Sequence, residues 1–265
     1  MLIVGELINA SRKAIREAIE NKNESFIKDV AIQQVESGAD YIDVNAGVFV
    51  GKEAEYLQWI VKIVQDAVSK PCCIDSPDPK VIEKVLSVHK GKAFINSISL
   101  EKERWDVLIP TIAGTDLNIV ALCMSDEGMP ETFEERVSIA DKLVNKLLQN
   151  NIPIENIYLD PLVQPVSTDS QYGNEFLKAV EKIKKIFKGV HTICGLSNIS
   201  FGLPERQFLN QIFIVLAIAK GLDGVIVNPL DKKMMANIIA AETLIGKDDF
   251  CMNYLKAFRS GQFGS

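Results

Sequence analysis

Short apolar runs alternate along this chain with longer stretches whose apolar residues recur every three or four positions. The runs lie at residues 2–8, 41–44, 71–74, 93–95, 118–123, 157–159, 192–195 and 224–227. Each has the length of a β-strand buried on both faces. The amphipathic stretches follow at 25–37, 53–68, 79–88, 101–113, 132–149, 174–187, 205–220 and 232–245. In the first of these, Phe26, Ile27, Val30, Ala31, Gln34 and Val35 mark one face at helical spacing, and Gly38 supplies the residue that ends such a helix. A further helix is expected over 250–258, with a frayed tail over 260–265.

Eight strand-helix units in succession, joined by short connections, predict an α/β fold of the (β/α)8 TIM-barrel type as a single domain over residues 1–265. A chain of 265 residues suits one such barrel. The rival is an open doubly wound sheet, which binds a dinucleotide through a glycine-rich first turn. The first turn here reads Glu6-Leu7-Ile8-Asn9-Ala10 and has no glycine.

Composition narrows the function classes. Hydrophobic residues make up 47% of the chain, enough for a sizeable core, and the formal charge of -6 argues against a nucleic-acid partner. The apolar start is too short for a leader, and no run approaches the length of a membrane span, so a cytoplasmic protein with no membrane contact is expected. Cys72, Cys73, Cys123 and Cys194 sit in strand-like runs, Cys251 lies apart, and none forms a C-x-x-C pair; they read as reduced thiols. The two histidines read as structural: His89 lies near a helix end and His191 at the start of the seventh strand, away from any mouth. No zinc-ligand spacing is present, and no metal is expected.

Nearly every strand run ends in a polar residue: Glu6, Asp43 with Asn45, Asp75, Asn96, Asp160, Ser197 with Asn198, and Asn228. Pro77, Pro161 and Pro229 stop three of the strands. Asp and Asn also start turns and cap helices, which accounts for any single one. Together they describe a binding mouth, because the C-terminal strand ends of a barrel converge. Ionised Asp75 and Asp160 accept hydrogen bonds, while Asn96 and Asn198 both donate and accept. A flat heterocycle with an amino group, a ring N–H and a carbonyl satisfies that set, and a pterin carries such an edge. No strand tip offers the lysine of a Schiff-base aldolase, and Val227-Asn228-Pro229-Leu230 is a poor phosphate loop.

Six segments, in this order, carry a resemblance: Ile3-Val4-Gly5-Glu6-Leu7-Ile8-Asn9, Tyr41-Ile42-Asp43-Val44-Asn45-Ala46-Gly47, Cys73-Ile74-Asp75-Ser76, Phe94-Ile95-Asn96-Ser97, Tyr158-Leu159-Asp160-Pro161-Leu162 and Gly195-Leu196-Ser197-Asn198-Ile199-Ser200. The chain resembles the pterin-binding methyltransferases that move a methyl group between tetrahydrofolate and a corrinoid protein. The resemblance implies a pterin-binding (β/α)8 domain, usually a homodimer, with tetrahydrofolate or methyltetrahydrofolate as substrate. It implies that Asp75, Asn96 and Asp160 hold the amino-pyrimidine edge and that Asn198 lies beside N5. Gly195 and Ser197 would shape that wall, Arg206 would meet the folate tail, and Glu6 and Asp43 would line the mouth.

Chemistry fits that allocation. A tertiary amine leaves poorly, so methyl loss from N5 needs hydrogen-bond or proton donation as the bond breaks. Asn198 can donate, with water or a network through Asp43 or Asp75 carrying the proton. The chain shows no D-x-H-x-x-G corrinoid motif, so the corrinoid (a cobalamin) is expected on a partner protein. Loops 125–130 and 164–168, with Met124 and Phe201, are the docking candidates. Helix 207–219 is apolar nearly all round, as at a subunit interface or beneath the C-terminal segment. Two other readings stand beside this one. A dihydropteroate synthase-like enzyme would bring a lysine and an arginine to its later strands, and the tip Gly195-Leu196-Ser197-Asn198 has no lysine. A folate-binding subunit without turnover would need no group at N5.

Overall fold

In the computed structural model, which describes residues 1–263, eight parallel strands pair in chain order. They are β1 (Leu2–Asn9), β2 (Tyr41–Asn45), β3 (Cys72–Asp75), β4 (Phe94–Leu100), β5 (Asn118–Ser125), β6 (Ile157–Asp160), β7 (His191–Thr192) and β8 (Gly224–Val227). β8 returns to pair with β1. The remaining seam closes through a bridge between Gly195 and Ile226, where the Ile226 N–H donates to the Cys194 carbonyl at 2.9 Å. The result is the (β/α)8 barrel expected from the pattern.

The helices are α1 (Lys13–Glu20), α2 (Glu24–Glu36), α3 (Glu53–Ala67), α4 (Pro79–Leu86), α5 (Lys102–Ile112), α6 (Phe133–Gln149), α7 (Tyr172–Ile186), α8 (Arg206–Lys220), α9 (Lys232–Leu244) and α10 (Met252–Arg259). Local chemistry sets their ends. Thr132 and Glu135 form a reciprocal capping box at the start of α6. Gly38, at a φ of +101°, lets the chain turn out of α2. Between helices and sheet lies a layer of fully buried Ile, Leu and Val, including Ile27, Leu57, Ile60 and Leu108. Each such side chain contributes about 1.5–3 kcal/mol.

Three elements depart from the pattern. Helix α1 was not expected; it buries only Ile15, Ala18 and Ile19, too short a stripe to declare a period. β4 runs on to Leu100, with register shifts on either side of Ile98, so Asn96 lies inside the strand; the Asn96–Ser97 peptide is cis. β7 keeps strand pairing only over His191–Thr192, and the chain then enters a 3-10 turn at Leu196–Ser200. Of the expected frayed tail, residues up to Phe263 are described, and the Phe263 ring meets Tyr254 at 4.7 Å. The expectation for Gly264 and Ser265 lies outside the described residues.

Inside the barrel, Val4, Tyr41, Cys73, Phe94, Val120 and Ile193 pack as one cluster with Tyr158 and Ile226. The Tyr41 and Phe94 rings meet edge to face at 5.3 Å, and Phe94 and Tyr158 meet tilted at 4.8 Å. This is the floor of the site. Side chains two positions apart on a strand share a face. Asp43 therefore stands above Tyr41, Asp75 above Cys73, Asn96 above Phe94 and Asp160 above Tyr158. His191 stacks on Tyr158 at 4.7 Å on the far side, and Cys72, Cys73, Cys123 and Cys194 are buried free thiols.

Among the described residues no helix is long and apolar enough to cross a membrane.

Candidate functional site

The layer above the floor is a buried carboxylate-amide cluster. Strand register places Asn45 beside Asp75 and Asp75 beside Asn96. Asn45 Nδ2 donates to Asp75 Oδ2 at 2.9 Å, and Asn96 Nδ2 reaches Asp43 Oδ1 at 3.4 Å. Burial pushes the Asp43 carboxyl well above the usual range, and the neighbouring Asp75 pushes it further; hydrogen bonds from Cys73 and Asn96 oppose this. Burial also raises Asp75, against the Asn45 hydrogen bond and the Arg104 charge. Burial and the neighbouring Asp75 together favour the protonated form of the Asp43 carboxyl.

Asp160, at the tip of β6, forms the opposite side. Its pKa is pushed up to about 7 by burial, against donation from the Leu162 and Gly195 N–H groups. The Leu162 N–H reaches Asp160 Oδ1 at 2.8 Å. Gly195 thus links Asp160 to the turn that follows, which carries Asn198. Asn198 is exposed, and its Nδ2 lies 3.9 Å from where a Cβ on Gly195 would stand. A methyl group at position 195 would touch the amide at ordinary contact distance, so Gly195 lies directly against Asn198.

Glu6 enters from β1 through a local irregularity. The register with β2 shifts between Gly5 and Ile8, and buried Gln34 supplies the missing acceptor, Oε1, to the Leu7 N–H at 3.0 Å. A Cβ on Gly5 would lie 2.5 Å from that oxygen and would push the Gln34 amide off the Leu7 N–H. Burial raises the Glu6 pKa, against the charges of Arg12 and Arg206, and Arg12 Nη2 lies 3.0 Å away. Glu6, Ser197, Asn210, Asn228 and Asp231 line a cavity of about 130 Å³ behind the Asn198 turn.

An aromatic floor, two carboxyls and an amide on one side, and a third carboxyl near an exposed amide on the other make a set of groups that suits a flat heterocycle rich in donors. Residues 5–228 match the family described as pterin binding enzyme. This chain belongs to that family. It is 40% identical over its whole length to the methylcorrinoid:tetrahydrofolate methyltransferase of Eubacterium limosum, covering 98% of that protein. It is 29% identical over 86% of its length to the methionine synthase of Mycobacterium tuberculosis, of which it spans 20%. Among solved structures, the dihydropteroate synthase of Xanthomonas albilineans superposes with a TM-score of 0.70 at 16% identity, covering 93% of this chain and 92% of that one. At that identity the likeness speaks for the fold.

The supports of this candidate site were not legible in the sequence. Arg104 of α5 donates to the carbonyls of Ser97, Pro77 and Ser76 at 2.7, 2.6 and 2.9 Å, tying the β3 and β4 loops together. Ser76 Oγ donates to Glu53 Oε1 at 2.6 Å. Arg136 of α6 is fully buried and donates to the carbonyls of Pro161, Glu131 and Thr132. It bolts down the loop just after Asp160. Arg136 did leave a trace, because it occupies the stripe that continues with Ala140, Leu143, Val144 and Leu147, where a charge is out of place. Arg104 left none; its partners are distant carbonyls that no residue type marks.

Proposed function

We propose that this chain transfers a methyl group between a corrinoid carried on a separate protein and N5 of tetrahydrofolate, running toward folate. The set of groups above the Tyr41–Phe94–Tyr158 floor carries the reading: Asp75 and Asp160 accept from the pterin's amino group and ring N–H, and Asn96 matches its carbonyl. The activity for which the Eubacterium limosum relative is named supports both the reaction and its direction.

Asn198 acts at N5. Toward folate, N5 sheds a proton as it gains the methyl group; in reverse it gains one as the methyl group leaves. An amide can orient the N5 hydrogen or lone pair but cannot keep the proton. The paired carboxyls of Asp43 and Asp75, with water, are the proton store. Asp43 thus acts through the network and does not touch the substrate. Gly195 and Ser197 shape the N5 wall, and Glu6 borders it. The protein's contribution is placement of N5 and the electrostatics around it.

The corrinoid protein docks over the mouth. Phe201 and Met129 are each 63% exposed there, while Met124 is half-buried and anchors the loop. Within loop 125–130 the Ser125 and Gly128 backbones bond to each other, and in loop 164–168 Gln164 Nε2 donates to the Pro130 carbonyl at 2.9 Å, so the two loops form one continuous rim. A second copy of the chain covers α8. Phe208, Ile212 and Leu216 recur every four residues along its outer face at 65%, 63% and 48% exposure. α10 packs on α9 and leaves that stripe bare. The enzyme works as a cytoplasmic homodimer, its free thiols suited to a reducing compartment.

The test is spectral. Purified chain is mixed with methyltetrahydrofolate and Co(I) cobalamin, or with methylcobalamin and tetrahydrofolate, and the cobalt absorbance is followed. Transfer in either arm supports the reading. Folate binding with an unchanged spectrum in both arms would leave a binding subunit. Condensation of a pterin pyrophosphate with p-aminobenzoate would instead favour the synthase reading, against which the lysine-free tip at 195–198 stands.

A further inference from the structure

Asn198 hangs between two peptide groups, and both are pinned. The peptide after it is held by its own carbonyl, which accepts from the Phe201 N–H at 3.1 Å. The peptide before it ends in the Ser197 carbonyl, and that oxygen accepts from Arg206 Nη2 at 2.6 Å and from Ser200 Oγ at 3.3 Å. Arg206 Nε also donates to Ser200 Oγ at 3.0 Å, and Ser200 is fully buried. The guanidinium therefore forks around the back of the turn, one arm on the carbonyl and one on the hydroxyl that grips the same carbonyl. Its carbon stands 5.9 Å from the centre of the Phe201 ring, so the far end of the turn is held as well. Its charge also acts on Glu6, which lines the same cavity as Ser197. The Asn198 amide itself has no hydrogen-bond partner among the described residues, so its aim depends wholly on the backbone that carries it.

We infer that Arg206 is a positioning residue, which fixes the Ser197–Asn198 peptide and thereby the direction in which the Asn198 amide meets N5. This rests on the methyl-transfer reading and replaces the expectation that Arg206 meets the folate tail. A fork of planar donors is what the job needs: Nε and Nη2 address two acceptors at once, and a lysine ammonium on a flexible stem would hold one of them loosely. A turn freed at Ser197 swings the amide by a fraction of an ångström to an ångström, enough to weaken a hydrogen bond formed at the moment of transfer. The loss falls on turnover, because the pterin edge is bound by Asp75, Asn96 and Asp160 on other strands.

The experiment compares the native chain with Arg206→Gln, Arg206→Lys, Ser200→Ala and Asn198→Ala, using methyltetrahydrofolate and a 5-methyltetrahydropterin that lacks the p-aminobenzoylglutamate tail, with Co(I) cobalamin as acceptor. Arg206→Gln is expected to lower kcat on the order of 10- to 100-fold with KM for both substrates within about 2-fold. Arg206→Lys should recover part of that loss, and Ser200→Ala, which keeps the guanidinium but removes its second hold, should lose part of it. In the Asn198→Ala background, Arg206→Gln should cost less than about 2-fold more, since a residue that acts only through Asn198 has nothing left to position. Losses that multiply in the double variant overturn the inference. So does a rise in KM for methyltetrahydrofolate that the tail-less pterin does not share, which would make Arg206 a tail ligand. Full turnover in Arg206→Gln overturns it alone, whereas no transfer by the native chain overturns the functional reading and this inference with it.

Discussion

Asn45 Nδ2 and Asp75 Oδ2 stand 2.9 Å apart, on neighbouring strands whose register sets the two residues side by side. Asn45 is the donor that keeps Asp75 available as an acceptor. Burial raises the Asp75 pKa and the Asn45 bond opposes that rise. In Asn45→Ala the Asp75 pKa climbs further, and the pH at which folate binding fails on acidification moves up. At neutral pH folate affinity should fall by about 1–2 kcal/mol. Fluorescence titration of folate between pH 5.5 and 8 checks both; an unshifted acid limb would remove Asp75 from the pterin edge.

Asp160 sets stability against function. Its folded pKa is raised to about 7 from an unfolded value of 3.8. Between those values the folded chain binds more protons than the unfolded one, so this group's effect on stability becomes less favourable as pH rises through that window. Above pH 7 the ionised, buried carboxylate costs on the order of a few kcal/mol in the empty site. Asp160→Asn should therefore melt higher than the native chain at pH 8, with a smaller gap at pH 5.5, and should bind folate poorly at both. Thermal melts at the two pH values test the sign, and an equal gap would contradict it.

Asn198→Ala should bind folate with little change and transfer methyl about 100-fold more slowly or worse. Stopped-flow at the cobalt band measures the rate, and titration of folate measures the binding. A variant that kept the native rate would take the amide out of the mechanism.

Arg136→Met should be costly far beyond its exposed area. It strips the donor from the carbonyls of Pro161, Glu131 and Thr132, two of which the guanidinium Nη1 serves together. The Pro161 carbonyl is buried, and leaving it without a partner costs about 1–3 kcal/mol, so a loss of roughly 2 kcal/mol in denaturant unfolding is expected. Folate affinity should fall too, as the Asp160 loop loosens.

Ile212→Asp places a charge in the middle of the α8 stripe. The native chain should run at twice the protomer mass by light scattering, and the variant at the protomer mass, with the barrel's circular dichroism unchanged. A native monomer would end the dimer proposal.

The sequence was most legible where period and residue type agree. Asp43, Asp75, Asn96 and Asp160 each follow an apolar residue by two positions, so one strand face reads floor, then site. The glycine at position 38 announced a helix end for an equally local reason. Legibility failed where a contact joins residues far apart in the chain. Arg104 and Arg136 reach carbonyls, which every residue possesses. β7 was expected over 192–195 because its residues are apolar, yet only His191–Thr192 hold strand pairing.

By itself the sequence determined the eight-fold alternation, the layer of carboxyls and amides, and the family to which they belong, because strand period and side-chain chemistry are local properties. Only the tertiary structure decided that Asn198 rides on a 3-10 turn, that Gln34 fills the gap in β1 at Leu7, and that Arg206 grips the Ser197 carbonyl from behind. Those are hydrogen bonds to main-chain groups, and which main-chain group a side chain meets depends on how the barrel closes.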